Sequence, residues 1–481
     1  METTDISDVP RSWAPHGARA VGLLLALWGG AAHAAEVWKS GDWTIEGNGF
    51  YKPYISWLRF QSSLVEGTKD LAGALDQAKA MVPPETAAQL PSLSGLPLQV
   101  GISTHTFRVG GKVSWTDALE LEVAWQAAVI LASDAAFAGA GGSSYLGAAL
   151  ITPQRRLVDF EPFLLDAGSF RIQHNLDRLA FTWRGTHVTV VVGRQVLSWG
   201  TGRLWNPTDL ISPFAPTDVD REVRRGADAA RVSFSLGATS QLDVLWLPQK
   251  LARDMGGVVR ARTNLVGWDF SVTVGKYVGD VVVGADFSGD LGPLGAHGEA
   301  AWTLPLVGLG ASEPLRVQGD FVRAVVGLEW RPVEALVLGA EYYFNGFGAH
   351  SAAGVLGVLT SDRVVRGEVF GAERHYAGVT ASWLATDLLT GSLTAIVNLV
   401  DPSALFVPSL EYSFEQHVLL RVGGFVPIGK GVDLGLMRSL SGADVLANSA
   451  AWQRATTTFG AQSEYGLSGY GAFVQVGLYI P

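Results

Sequence analysis

The chain has 481 residues, 58 of them glycine and none cysteine, with 17% charged residues and a formal net charge of −10. No basic run is present, which argues against a nucleic-acid partner, and the lack of cysteine excludes a disulfide-built fold. Mean hydropathy is a mild +0.22, and no apolar run approaches the roughly 18 residues that a membrane-spanning helix needs.

At the N-terminus, Arg11, His16 and Arg19 precede the apolar stretch Ala20–Trp28, and Ala32-His33-Ala34 follows it. A charged segment, a short apolar segment and a small-x-small site read as a secretory leader over 1–34, with cleavage after Ala34. Glu2, Asp5 and Asp8 make this leader unusually long and acidic at its start. The mature chain, 35–481, shows no internal repeat beyond a hairpin rhythm and no linker, so it is read as one domain.

That rhythm is two-residue alternation broken by turns. Phe107, Val109, Val113 and Trp115 share one face of a segment whose other face carries Arg108 and Lys112. After Thr116-Asp117, Leu119, Leu121, Val123 and Trp125 oppose Glu120, Glu122 and Gln126. Leu179, Phe181 and Trp183 oppose Arg178, Thr182 and Arg184; Val322, Val326, Leu328 and Trp330 oppose Arg323, Glu329 and Arg331; Leu338, Tyr342 and Phe344 oppose Glu341. Strands are expected at 43–57, 100–115, 118–130, 170–184, 187–196, 227–237, 240–248, 257–264, 268–277, 281–289, 295–304, 321–331, 334–345, 374–385, 388–400, 404–414, 416–427 and 469–480. This makes eighteen, with sixteen as the alternative. The segment 257–264 alternates least clearly, and parity of the hairpin rhythm requires it.

A soluble sandwich also alternates, with its apolar face inward. Here the segments are about ten residues long, as tilted membrane-crossing strands are, and short connections alternate with long ones. Trp57, Trp115, Trp125, Trp183, Trp268, Trp302, Trp330 and Trp383 sit near strand ends as interfacial girdles do. The last strand, Gly469–Ile480, alternates Val474, Val476, Leu478 and Ile480 with Phe473, Gln475, Gly477 and Tyr479. Such an edge needs a partner, and pairing with the first strand near Thr44–Ile55 closes a barrel. The fold expected is all-β: an antiparallel up-and-down transmembrane barrel of the outer membrane with long extracellular loops.

The long connections are 58–99, 131–169, 197–226, 249–256, 305–320, 346–373 and 428–468. Ser63–Met81 carries Leu64, Leu71, Leu75, Ala78 and Met81 at helical spacing, and Pro83-Pro84 stops it. It is expected to lie on the surface, to fold inward, or to pack only on its own loop. The segment 131–151 is Ala- and Gly-rich and reads as a loop.

Gly193–Arg225 follows the fifth expected strand. Pro207, Pro213 and Pro216 restrict its backbone, Gly200 and Gly202 permit tight turns, and Trp199, Leu204, Trp205 and Phe214 could anchor it to a wall. Arg203, Arg221, Arg224 and Arg225 stand among Asp209, Asp218, Asp220 and Glu222. Opposed charges of this kind in an aperture would select solutes by charge and size, and these eight residues are the expected constriction. The alternative is an outward loop stiffened by its ion pairs. Arg194 falls on the lipid-facing parity of its strand, so a bulge or the membrane rim must accommodate it.

The inward parity supplies the expected pore lining: Arg108, Lys112, Glu120, Glu122, Arg178, Arg184, Arg231, Arg323, Glu329, Arg331 and Glu341. So many charges in a dry sandwich core would be prohibitive, which argues for a wet lumen. Enzyme motifs are absent: there is no GxSxG, HExxH or P-loop, and the histidines have no metal-ligand spacing. His174 with Asp177 is the nearest catalytic-looking pair, and no serine accompanies it. No cofactor or metal is expected.

Asn175–Arg184 (NLDRLAFTWR), Gly193–Asp209 (GRQVLSWGTGRLWNPTD) and Asn264–Lys276 (NLVGWDFSVTVGK), with the terminal strand, resemble a broad group of proteobacterial porin-like outer-membrane proteins. The terminal strand departs from the group's usual final Phe by ending Tyr-Ile-Pro. The resemblance implies a porin or exporter fold and supplies no catalytic residue. The expected activity is passive diffusion of small hydrophilic solutes or ions through a lumen narrowed by 197–226. The alternatives are a substrate-specific transporter or exporter for a polysaccharide or apolar compound, with the 63–81 helix as plug, and a barrel sheathing a partner protein. Expected partners are outer-membrane lipid, the permeating solutes and the barrel-assembly machinery, and a homo-oligomer is compatible with the reading.

Overall fold

The structure is a computed structural model that describes residues 38–134, 156–158, 163–306 and 319–480. The expected leader 1–34 and much of the 131–151 and 305–320 segments lie outside the described residues. The strands are β1 (Trp38–Ser40), β2 (Trp43–Phe60), β3 (Gln99–Trp115), β4 (Leu119–Ala132), β5 (Phe163–Ala167), β6 (Phe170–Arg184) and β7 (Val188–Gln195). Then follow β8 (Ala227–Ser235), β9 (Ser240–Leu247), β10 (Gly256–Leu265), β11 (Trp268–Tyr277), β12 (Asp280–Leu291) and β13 (Leu294–Pro305). The rest are β14 (Phe321–Val333), β15 (Leu336–Asn345), β16 (His375–Thr386), β17 (Leu389–Asn398), β18 (Ser403–Glu415), β19 (Val418–Ile428) and β20 (Gly469–Ile480).

Eighteen of these form one closed antiparallel barrel, each strand paired with its neighbours in the chain, and all eighteen expected segments are among them. Closure joins β20 to β2, with Val474 opposite Ile55 and Leu478 opposite Tyr51. Every strand edge along these pairings therefore finds a backbone partner, which is what removes the aggregation-prone edge. The two extra strands are short. β1 pairs with Trp43–Ile45 of β2, beyond the point where β20 ends, and β5 pairs with the start of β6, beyond the reach of β7.

Facing follows the alternation. Leu121, Val123, Leu179, Phe181, Val272, Val326, Leu328 and Val474 are exposed on the outside, while Lys52, Arg178, Asp243, Asp286, Glu299, Arg323, Glu341 and Gln475 are buried within. This apolar-out, polar-in arrangement is the reverse of a soluble core and matches a wall bathed in lipid. Trp115, Trp183, Trp330 and Trp383 are exposed at the short-turn end, and Trp57 and Trp302 toward the other. One expectation for the wall is resolved by its rim. Arg194 does sit on the outer parity, but it is buried beside Asp228 at 2.7 Å, with its guanidinium donating to the carbonyls of Leu176 and Val158.

At the long-loop end the chain folds inward. The helix α1 (Ser62–Ala80) buries Leu64, Val65, Leu71, Leu75 and Ala78 against the inward residues Val100, Ile102 and Ile130 of β3 and β4. It also packs on α2 (Leu434–Ser439) and α3 (Gly442–Leu446) of the last long loop. The helix thus does not rest on its own loop alone. Met81 lies past its end and is exposed, because the helical face has already turned away there.

Candidate functional site: a loop across the lumen

The segment 196–226 folds into the barrel and is held at three places. On one wall, the Glu299 carboxylate of β13 accepts from the backbone N–H groups of Thr201 (3.0 Å), Gly202 (2.9 Å) and Thr208 (2.9 Å) and from the Thr208 hydroxyl. Two strands on, Glu341 of β15 accepts from the N–H groups of Arg203, Leu204 (3.0 Å) and Trp205, and it faces His297 Nε2 at 2.8 Å. Two buried carboxylates thereby satisfy the turn Thr201–Thr208, whose own backbone has no ladder to join. Gly202 is required there, since a Cβ would come within 1.9 Å of the Trp205 carbonyl oxygen.

The aromatic anchor is Trp205, 2% exposed and stacked on Tyr343 with centroids 5.1 Å apart. The wall makes room for it with Gly378 of β16, where a Cβ would meet Leu204 Cδ1 at 2.4 Å and Trp205 Cζ3 at 2.7 Å. Phe214 lies under the Arg224 guanidinium, and Trp199 under that of Arg260.

The second hold is on β2, β19 and β20. Lys52 Nζ binds Asp220 at 2.9 Å and also Glu222; Gln475 donates to Asp220, Tyr479 to Glu222, and Arg421 to the Val219 carbonyl. The third hold, at the return to β8, is a pair of hydrogen bonds from Arg178 to the Arg224 carbonyl and from the Gly226 N–H to Asp177.

The eight expected constriction residues divide. Asp209 does not reach an aperture: its carboxylate is buried inside the loop against Arg224 and accepts from Ser198 and Ser212. Burial pushes it up to about 6 despite the attraction of Arg224. Asp218 caps the Ala215 N–H, and Arg221 spends its guanidinium on the carbonyls of Arg203, Ala215 and Pro216. Asp220 and Glu222 are wall contacts. Arg203 projects into open space and pairs with Glu329 at 3.0 Å. Arg225 makes no ion pair among the described residues and lines a cavity. The expected field of opposed free charges is therefore largely used up in holding the loop.

Of the expected lining, Arg108 and Arg178 share Asp177, and Glu120 pairs with Arg184 at 2.9 Å. Lys112 lies in register between Glu46 and Glu122. Arg231 faces inward between Val191 and Leu245, and Arg331 is exposed at the short-turn rim. Arg323 and Glu341 are inward but covered. Arg323 donates to the Glu368 carbonyl beneath the 346–374 loop, where Arg363, Arg366 and Arg323 hold the buried Glu368 carboxyl down to about 2 although burial alone opposes its ionisation. Alternation puts Glu299 on the inward face of β13 but does not mark it, Lys52 or Gly378 as an anchor for the loop. An unmatched lysine on the inward parity of β2 was a signal available for Lys52; for Gly378 there was none.

Among the described residues, two of the cavities beside the loop are large enough to matter for passage. One of about 200 Å³ lies against β2, β3, β4 and β6, lined by Lys52, Thr106, Gln126, Asn175, Arg225 and Gln475. The other, about 630 Å³, lies against β16 to β19 and is bounded by Arg203, Glu329, Thr390, Ser392, Glu411 and Arg421. Among the described residues no cluster suited to a metal ion is present.

Comparison with solved structures places the architecture. Pseudomonas aeruginosa OccK9 (OpdG) aligns over 92% of this chain and 98% of its own, at 10% identity and a TM-score of 0.50. This is a porin fold. Pseudomonas aeruginosa OccK11 (OpdR) aligns over 90% of this chain and 96% of its own, at 8% identity and a TM-score of 0.48. A triple mutant of the Rhodopseudomonas blastica porin covers 90% and 99%, at 12% identity and a TM-score of 0.39. No family model matches the chain, and no curated protein does. A closed eighteen-strand barrel with an apolar exterior belongs in the bacterial outer membrane.

Proposed function

We propose that the protein is a passive channel for small hydrophilic solutes or ions, narrowed by the 196–226 loop. The observation that carries this reading is the double anchorage, with Glu299 and Glu341 clasping the loop at one wall and Lys52 at another. A loop held at both ends of its path across a polar lumen narrows the lumen without filling it, leaving the two cavities. Barrels of this strand number otherwise enclose a wide aqueous bore.

A loop tied to two walls across the lumen is at odds with a barrel that sheathes a protein. The α1 helix covers the mouth above β3 and β4 but contributes no group to the 630 Å³ cavity, so a specific exporter plugged by that helix is the weaker reading. Refolded protein in planar bilayers tests the proposal. Deleting Thr208–Thr217 is expected to raise single-channel conductance. Replacing Arg203 and Arg225 by Glu is expected to shift the reversal potential in a salt gradient toward cations, less so near 1 M salt, where the Debye length is about 3 Å. Correctly inserted wild-type barrels that pass neither ions nor small solutes would sink the channel reading.

A further inference from the structure

The 630 Å³ cavity is bordered by a run of hydroxyl-bearing residues on three neighbouring strands. Thr380 of β16 lies opposite Thr394 of β17, Ser382 lies opposite Ser392, and Ser392 lies opposite Ser409 of β18. Thr390 continues the row along β17. Val379, Leu393 and Leu410 are exposed on the outer face, so these six hydroxyls point inward. Five of them line the cavity, and none of the six makes a hydrogen bond to another described residue.

At three other places on the inner wall a hydroxyl is consumed by a carboxylate: Ser233 by Asp243, Ser271 by Asp286, Ser403 by Asp401. Here it is the charges that are consumed. Glu329 is paired with Arg203, Glu411 with Arg421, and Arg221 is bonded to loop carbonyls. An ion entering this aperture meets charges already neutralised in pairs, Arg203 with Glu329 and Arg421 with Glu411. A solute rich in hydroxyl groups meets the opposite situation. Each wall hydroxyl can both donate and accept, so it can hand a hydrogen bond from one solute oxygen to the next, the weak multi-site contact that conduction requires. Val407, half-buried on the same wall, offers apolar surface to the C–H faces of such a solute.

We propose that this aperture is a passage selective for small neutral polyhydroxylated solutes, polyols and monosaccharides, with Thr380, Thr390, Ser392, Thr394 and Ser409 as its hydrogen-bonding track. The inference rests on the channel reading and names its substrate class.

The test compares erythritol with glycine betaine, which is similar in size, carries no net charge and has no hydroxyl group. Wild-type protein and the variant Thr390→Val, Ser392→Ala, Thr394→Val, Ser409→Ala are reconstituted in liposomes, and swelling rates are measured beside planar-bilayer conductance in KCl. The substitutions remove hydroxyls with little change of volume. The wild type is expected to admit erythritol faster than betaine. In the variant the erythritol rate should fall by at least about threefold, the size of one or two lost hydrogen bonds, while betaine uptake and KCl conductance hold. An erythritol rate that is unchanged, or that falls in step with betaine, overturns the track. Conductance in KCl that survives while the track fails leaves the channel reading standing; wild-type barrels that pass neither ions nor solutes remove both.

Discussion

Glu299→Ala is the perturbation that most directly probes how the lumen is narrowed. The carboxylate accepts three backbone N–H bonds and one hydroxyl bond from the loop, and it is 4% exposed. Hydrogen bonds to an ionised group are worth about 1.5–3 kcal/mol each. They do not add, and water from the adjoining cavity can reach some of the freed donors, so the net loss of docking free energy is expected at about 4 kcal/mol. Hydrogen exchange reads this locally: protection of the amides of Thr201, Gly202 and Thr208 should fall by about two to three orders of magnitude, at 1.4 kcal/mol per tenfold. Glu299→Gln keeps one acceptor oxygen and should lose roughly half as much. Amides of the β11–β12 ladder serve as the control, since the loop's backbone is not part of that pairing. Single-channel conductance should rise in the same order, Ala above Gln above wild type. Unchanged protection at Thr201–Thr208 in a correctly inserted Glu299→Ala barrel would refute the claim that this carboxylate holds the loop.

Gly378→Leu should evict Leu204 and Trp205 from their seat on β16 and raise conductance, while Gly391→Leu on the neighbouring strand, where a Cβ meets only the flexible Leu410 side chain at 3.5 Å, should not. The raised value of Asp209, about 6 against an ordinary 3.8, means the docked loop favours the protonated acid. Its contribution is full below about pH 4 and lost as pH rises through 6, amounting to roughly 3 kcal/mol. Protection of the Ser212 amide should therefore increase on acidification from pH 7 to pH 4, and Asp209→Asn should flatten that profile; Glu373 and Glu464, each near 7, titrate in other loops and should leave this amide unaffected. On the wall, Leu121→Arg should destabilise the inserted barrel by about 2–4 kcal/mol if Leu121 lies near the bilayer midplane, and Glu122→Ala by far less. Equal costs at both positions in bilayer unfolding would mean the facing is wrong.

The eighteen strands were legible in the sequence because facing in a barrel is a local property. Leu119, Leu121 and Val123 alternate with Glu120 and Glu122 whatever the rest of the chain does, and two environments on either side of a single wall impose a period of two. Even the faint segment at Gly256–Leu265 followed from parity, since both ends of the chain's barrel must emerge on the short-turn side. The prolines, glycines and aromatic residues of 193–225 likewise marked a constrained loop and named Trp205 and Leu204 as anchors. What they bind was not encoded locally. Glu299 and Glu341 lie 91 to 138 positions from the amides they clasp, and Lys52 lies 168 from Asp220. Sequence spacing carries no information about such pairs, because the barrel's closure, not the loop, brings them together. For the same reason most of the charges read as a free field, Arg203 and Arg225 excepted, are ties, and the hydroxyls of β16 to β18 are bland in the sequence because only tertiary packing pairs their charged neighbours.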